Sequence, residues 1–326
     1  MSAVLVLGID AGNTKTVALL ADQHGTVHGA GRAGPANIYV SESGAKQAIQ
    51  NAVQAAWDDA GRSSQPVQAV CLSATGADWP EDFKLLEEAL TVWNWSDHQQ
   101  IVNDAVGALR AGSRQGRGVA VVCGTSAGIA ARGPHDQVWH SSYWQEPEGA
   151  EHLGQLALRA VYRAELGIGP PTTLTERLLK HFGVSEVAGV LHRQTARHTR
   201  PLPPGPLARL LLDEAQAGDA VSLALVTQHG QALGDYALAA ARQVGLSGDY
   251  LLVTSGGVMR HPSPILRNAM LERVQASHGS VTWQASAHEP VTGAVLLALE
   301  QSSVQVTSEV FRHLSDTCPP PSFFET

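Results

Sequence analysis

Two short polar turns, each set between apolar strand-like runs, constrain this fold more than any other feature. The first is Asp10-Ala11-Gly12-Asn13-Thr14-Lys15-Thr16 and the second is Gly124-Thr125-Ser126-Ala127-Gly128. Residues 3–9 (AVLVLGI) and 16–21 (TVALLA) flank the first turn, with 25–29 as a hairpin partner; 119–123 (VAVVC) and 129–132 flank the second. Short runs rich in Val, Ile and Leu and bounded by glycine read as buried strands. Each opening leads into alternating patterns. Helical spacing covers 44–60, 80–92 and 105–111, then 153–166, 173–182, 207–217, 220–244, 265–277 and 292–300. Strands are expected at 67–73, 100–102, 249–254 and 281–283, and the Pro-rich stretch 197–205 (RHTRPLPPG) is a loop. This duplicated plan predicts an α/β chain of two domains facing one cleft. The expected divisions are 1–112, 113–300 and a C-terminal segment 301–326, whose CPPPS stretch at 318–322 reads as a frayed end.

Composition excludes several classes. Lys and Arg number 22 against 30 Asp and Glu, a net charge of −8. That argues against a nucleic-acid partner, which needs clustered basic residues. No apolar run approaches the roughly 20 residues that span a bilayer, so no membrane association is expected. MSAVLVLGID has no basic leader region and reads as a strand, not a signal peptide. Cys71, Cys123 and Cys318 are widely spaced, with no CxxC, which disfavours a disulfide framework or a cysteine-held cluster and suggests the reducing cytoplasm. The 14 histidines form no HExxH pairing.

The polar turns carry the chemistry. Small residues let backbone approach a ligand, and consecutive N–H groups form an anion-binding nest. In the first turn Gly12 and Asn13 shape the backbone, while Thr14, Lys15 and Thr16 add hydroxyls and a cation; Asp10, at the strand end, can hold Mg²⁺ through water. No Walker A spacing is present. Gly124, Thr125 and Ser126 make a second candidate cradle. Asn103-Asp104-Ala105 places a carboxylate at a helix start, where it either caps the helix or takes a proton from a hydroxyl. Gly256 and Gly257, after the strand DYLLV, can lie flat against a base or sugar.

In order, DAGNTKT, NDAVGAL (103–109), GTSA (124–127), GGV (256–258) and PVTGA (290–294) resemble the motifs of the sugar kinase/actin/Hsp70 superfamily. Within it the chain is most similar to the family of N-acetylglucosamine kinases and BadF/BadG-type ATPases, over residues 7–299. The resemblance implies two ribonuclease-H-like domains with ATP and Mg²⁺ between them and a sugar deeper in the cleft. It implies Asp104 as catalytic base, Asn37, Gly76, Asn103 and Glu148 as sugar contacts, and transfer of the γ-phosphoryl group to an amino-sugar hydroxyl, the 6-OH being expected. It also implies a homodimer. Two departures stand out. The family's sugar-contacting G-D-E-G-S is Glu146-Pro147-Glu148-Gly149-Ala150 here, and SATGAD (73–78) is one residue long against the pattern. A non-catalytic sugar or nucleotide sensor of the same fold is the alternative reading. An activator ATPase with an iron–sulfur cluster is disfavoured by the cysteines.

Overall fold

A computed structural model of the chain describes residues 4–144, 149–198, 200–278 and 280–325. The first half runs β1 (Leu5–Ala11), β2 (Thr16–Asp22), β3 (Val27–Ala33), α1 (Glu42–Asp59), β4 (Ala69–Ala74), α2 (Pro80–Trp93), β5 (Gln99–Asn103) and α3 (Asp104–Gly112). The second continues with β6 (Gly118–Cys123), β7 (Ala127–Arg132), β8 (Val138–His140), α4 (Ala150–Glu165), α5 (Leu174–Phe182), α6 (Val187–Thr195), α7 (Leu207–Ala217) and α8 (Ala220–Gln243). The chain closes with β9 (Tyr250–Ser255), α9 (Ile265–His278), β10 (Val281–Ala285), α10 (Pro290–Gln301), α11 (Ser308–Thr317) and α12 (Pro321–Phe324).

Both sheets are built on one plan. The first has the order β3-β2-β1-β4-β5 and the second β8-β7-β6-β9-β10. In each, the leading strand pairs antiparallel with its hairpin neighbour and parallel with the strand on its other side. This is the expected α/β arrangement of two ribonuclease-H-like units.

Strand alternation sorts side chains to two cores. Leu5, Leu7 and Ile9 of β1 face α1 and α2 through Ile49, Val53, Trp57 and Leu86, whereas Val6 faces Val291 and Val295 of α10. Gly8 is needed for that second contact, since a Cβ there would lie 2.4 Å from the Val295 amide nitrogen. In the second unit Val119, Val121 and Cys123 pack against α4, α7, α8 and α9. The opposite face of that sheet meets α3 through Leu109, Ala120 and Val253.

The two inner helices thus connect the halves. Helix α3 comes from the first half and packs on β6 and β7; α10 follows the second sheet in sequence but packs on β1 and β4. All strands of the first sheet precede residue 112 and all of the second follow it, yet residues 290–301 lie with the first sheet. Helices α3 and α10 cross where a Cβ on Gly293 would sit 1.9 Å from the Gly107 carbonyl oxygen. At the far end Arg110, 2% exposed, donates through Nε to Glu300 at 2.9 Å.

The C-terminal segment corrects one expectation. It does not fray: Val310, Phe311, Leu314 and Phe324 are buried with Val6, Val17 and Leu19. Three prolines break the helical pattern, but the Phe323-Phe324 pair behind them supplies enough apolar surface to dock the end. Helices α6 and α11 and strand β8 are further elements that the apolar spacing did not indicate. Among the described residues no helix is long and apolar enough to cross a membrane.

Candidate active site

The ends of β1, β6 and β9 and the start of α10 open onto one cavity of about 1280 Å³. That exceeds the ~300–1,000 Å³ of most small-ligand pockets and leaves room for two ligands side by side. Asp10, Gly12, Asn13, Thr14, Lys15, Asp104, Gly124, Thr125, Ser126, Gly256 and Gly257 all line it. The sequence motifs, spread over the whole chain, therefore converge.

Each turn is shaped by backbone bonds. In the first, Gly12 N–H donates to the Lys15 carbonyl at 3.0 Å and the Gly12 carbonyl accepts from Ala36 N–H at 3.0 Å. In the second, Gly124 N–H donates to the Ser126 carbonyl at 2.9 Å, and the Gly124 carbonyl accepts from Ala150 N–H at the start of α4 at 2.8 Å. Gly256 sits at φ +99°, where a Cβ would lie 2.3 Å from the Cys123 carbonyl oxygen, so only glycine fits. The two turns meet across the cleft: Asn13 Nδ2 donates to Ser126 Oγ at 3.3 Å, and the Thr14 and Thr125 hydroxyls are 3.5 Å apart.

Two carboxylates lie in the floor. Asp10 ends β1; burial first, then the Asp104 charge, push its pKa up to about 7 against the pull of Lys15. Asp104 is also pushed up, chiefly by burial and then by Asp78, while a hydrogen bond from the Thr75 hydroxyl opposes the shift. Asp104 is the first residue of α3; the cap is Asn103, whose Oδ1 accepts from Ala105 N–H at 3.1 Å. The side-chain cap is therefore Asn103, while the Ala105 amide also favours the charged form of Asp104. Lys15 is shifted down, mainly by burial, and its ammonium donates to the Phe324 carbonyl at the docked C-terminal end.

Four expected contacts are not in the cavity wall. Thr16 is fully buried and donates to the Gly34 carbonyl at 2.8 Å, because it begins β2, a strand buried along its whole length. Asn37 donates to Asn13 Oδ1 at 2.7 Å and accepts from Tyr39 N–H at 2.8 Å, so it braces the first turn. Gly76 has φ +85° and passes beneath Ile38 and Tyr39. Asn103 is buried, capping α3 and donating to Asp78 Oδ1 at 3.0 Å. Glu148 lies outside the described residues. Conversely, the cavity includes Thr75, Arg209, Arg260, His261 and Glu289, which the motifs did not single out. Glu289 directly precedes the Pro290 motif, and Arg260 follows Gly-Gly by three residues, close enough that a search around each turn would have found them. Arg260 and Glu289 pair at 3.0 Å across the rim.

Comparison with known proteins agrees with this geometry. The profile of the BadF/BadG/BcrA/BcrD ATPase family matches residues 7–298. The N-acetyl-D-glucosamine kinase of Dictyostelium discoideum is 27% identical over 326 residues, covering 92% of this chain and 99% of that protein. The N-acetylmuramic acid/N-acetylglucosamine kinase of Clostridium acetobutylicum is 27% identical over 161 residues, 49% of this chain and 53% of that protein. Among solved structures, a candidate N-acetylglucosamine kinase from Chromobacterium violaceum superposes with a TM-score of 0.70 at 22% identity, covering 91% of this chain and all of that one. A ROK family glucokinase from Streptomyces griseus, in complex with glucose and AMPPNP, gives 0.59 at 17% identity, with 91% and 99% coverage.

Proposed function

Since the chain belongs to the BadF/BadG/BcrA/BcrD ATPase family, we propose that it is an ATP-dependent sugar kinase. It transfers the γ-phosphoryl group to a hydroxyl, the 6-OH, of N-acetylglucosamine or a related amino sugar. The observation that carries this reading is the single cavity, in which glycine turns from two sheets face each other above a half-buried carboxylate.

Phosphoryl transfer depends mainly on positioning and on charge stabilisation. The backbone N–H groups of the two turns, the Thr14 and Thr125 hydroxyls and Lys15 surround the place for the phosphate tail. Gly256 and Gly257 offer a flat backbone surface to the nucleoside. Asp104 takes the proton of the attacking hydroxyl; burial makes it a stronger base than an ordinary carboxylate, and the Thr75 hydroxyl fixes its orientation.

Mg²⁺ fits the donor set. A cation carried chiefly by nucleotide phosphates needs only one or two protein carboxylates and keeps several waters. Asp10 supplies one; burial first, and then the nearby Asp104 charge, raise its pKa, and a cation would relieve the second of these. Among the described residues no group of three or more His, Cys, Asp or Glu side chains could hold a metal unaided. When bound, the ion would offset phosphate charge as transfer proceeds.

The test is ADP release with Mg-ATP across a panel of hexoses and amino sugars, with Asp104→Asn beside the parent. Transfer should fall by about 10²–10⁴ while nucleotide binding persists. No ADP from any sugar would overturn the kinase reading, and equal turnover in the variant would remove Asp104 from its role.

A further inference from the structure

A hydrogen-bonded chain joins the two halves of the protein next to Asn103, the neighbour of Asp104, and ends at the half-buried imidazole of His140. It begins at Asp78, in the turn after β4, whose Oδ1 accepts from Asn103 Nδ2 at 3.0 Å and from Ser142 Oγ at 2.9 Å. Ser142 Oγ in turn contacts His140 Nδ1 at the end of β8. Ser141 anchors this segment to β7: its hydroxyl oxygen accepts from Ile129 N–H at 2.9 Å, and its N–H donates to the Ile129 carbonyl at 2.8 Å. Ser142 has φ +42°, an unusual conformation for a residue with a Cβ, held by contacts on both sides.

Proton counting fixes the tautomer. A hydroxyl has one proton, and an ionised carboxylate only accepts. With the Ser142 proton directed to Asp78, Ser142 Oγ must accept from His140, so Nδ1 carries the imidazole proton. Nε2 is then the lone-pair nitrogen, and among the described residues it has no hydrogen-bond partner. Burial disfavours the charged ring and outweighs Asp78 and Asp104, which favour it, so the neutral form is maintained. The ring lies near the catalytic end of α3: β8 packs on that helix, and His140 and Asp104 sense each other's charge.

We infer that His140 Nε2 accepts a hydrogen bond from a second acceptor hydroxyl, adjacent to the one that Asp104 deprotonates. The acceptor class is therefore a polyol, such as a pyranose, with neighbouring hydroxyls. This deepens the kinase reading and rests on it. Because Asp104 comes from the first half and His140 from the second, an acceptor holding both bonds ties the halves together.

The experiment crosses variants with substrates. The parent, His140→Ala and His140→Gln are assayed by ADP release on the best sugar and its monodeoxy analogues, with nucleotide affinity and melting temperature measured alongside. His140→Ala should raise the acceptor KM about tenfold, the loss of one neutral hydrogen bond, with ATP affinity unchanged. His140→Gln, which restores an acceptor near Nε2, should recover part of that. One deoxy analogue should be penalised in the parent but not further in His140→Ala. Additive penalties for every analogue, or a parent-like KM in His140→Ala, would overturn the inference while leaving kinase activity intact. A parent silent on all sugars would instead overturn the kinase reading, and this inference with it.

Discussion

Gly293→Ala should disturb both stability and catalysis through one contact. Gly293 is buried in α10, and an added Cβ would lie 1.9 Å from the Gly107 carbonyl oxygen and 2.8 Å from the Ala111 nitrogen of α3. Both are backbone atoms, so no side chain can swing aside. Relieving the clash to the 3.0 Å floor for real Cβ contacts requires the helices to part by about 1.1 Å. Overpacking of this kind costs about 1–3 kcal/mol. Replacing a mid-helix glycine returns roughly 0.5–1 kcal/mol. The net is a loss of up to about 2.5 kcal/mol, or up to roughly 4 °C in Tm for 326 residues. Arg110 and Glu300 tie the far ends of the two helices at 2.9 Å, so the displacement falls mainly at the end that bears Asp104. A shift near 1 Å in a reacting group can cost about 10²-fold. Thermal melts and ADP-release kinetics should therefore show a lower Tm and a kcat reduced ten- to a hundredfold, with nucleotide affinity less affected. Gly34→Ala is the control, because a Cβ there meets nothing within 4 Å. A Gly293→Ala protein with parent-like Tm and kcat would refute the argument that this crossing sets the position of Asp104.

Three further outcomes follow from the site and the docked chain end. Asp10 has a pKa of about 7, and only its carboxylate form can hold a cation, so kcat/KM at limiting Mg²⁺ should fall as pH drops below 7. Raising Mg²⁺ should move that limb to lower pH; a limb indifferent to Mg²⁺ contradicts the assignment. Because the folded value lies above the ordinary 3.8, this group's contribution to stability is present at low pH and lost as pH rises from about 4 to 7, and pH-dependent melts of ligand-free protein read it. Phe324→Ala should lower stability by about 3 kcal/mol in urea titration, since the ring is only 7% exposed and packs into the first unit's core; an unchanged midpoint would show that the docked end contributes nothing.

The sequence was most legible where backbone geometry dictates residue type. The DAGNTKT and GTSA turns, the Gly-Gly turn and the apolar strands before them are local signals, and the structure joins them in one cavity. Side-chain direction was less legible. Thr16 has the same chemistry as Thr14, but it begins β2, a strand buried along its whole length. Asn37 keeps a polar amide near the site, yet both ends of that amide are satisfied by Asn13 and Tyr39. The C-terminal end was misjudged because prolines dominate its local pattern, whereas its fate depends on a distant apolar surface made by β1, β2 and α10. The same holds for α10, which follows the second sheet in sequence and packs on the first. No local window records such a crossing, although the paired glycines at 107 and 293 mark it once the helices are known to touch.

The contact between the two turns sets a condition on how a nucleotide enters. Asn13 and Ser126 are 3.3 Å apart, and the Thr14 and Thr125 hydroxyls 3.5 Å, so no phosphate group fits between them as they stand. These are neutral, exposed bonds at the long end of the range, and separating them costs little. The same four side chains, together with Lys15, make stronger charge-assisted bonds to phosphate oxygens. Lys15 must first exchange the Phe324 carbonyl for the incoming anion, a local rearrangement at the chain end. Helices α3 and α10 cross on glycine, with no interlocking side chains at positions 107 and 293, while the Arg110–Glu300 pair holds their other ends. A nucleotide bound as proposed above therefore favours a state in which the turns have parted just enough to share its phosphates. The proposed base begins α3, so a methyl group at position 293 that displaces that helix should be felt in kcat as well as in stability.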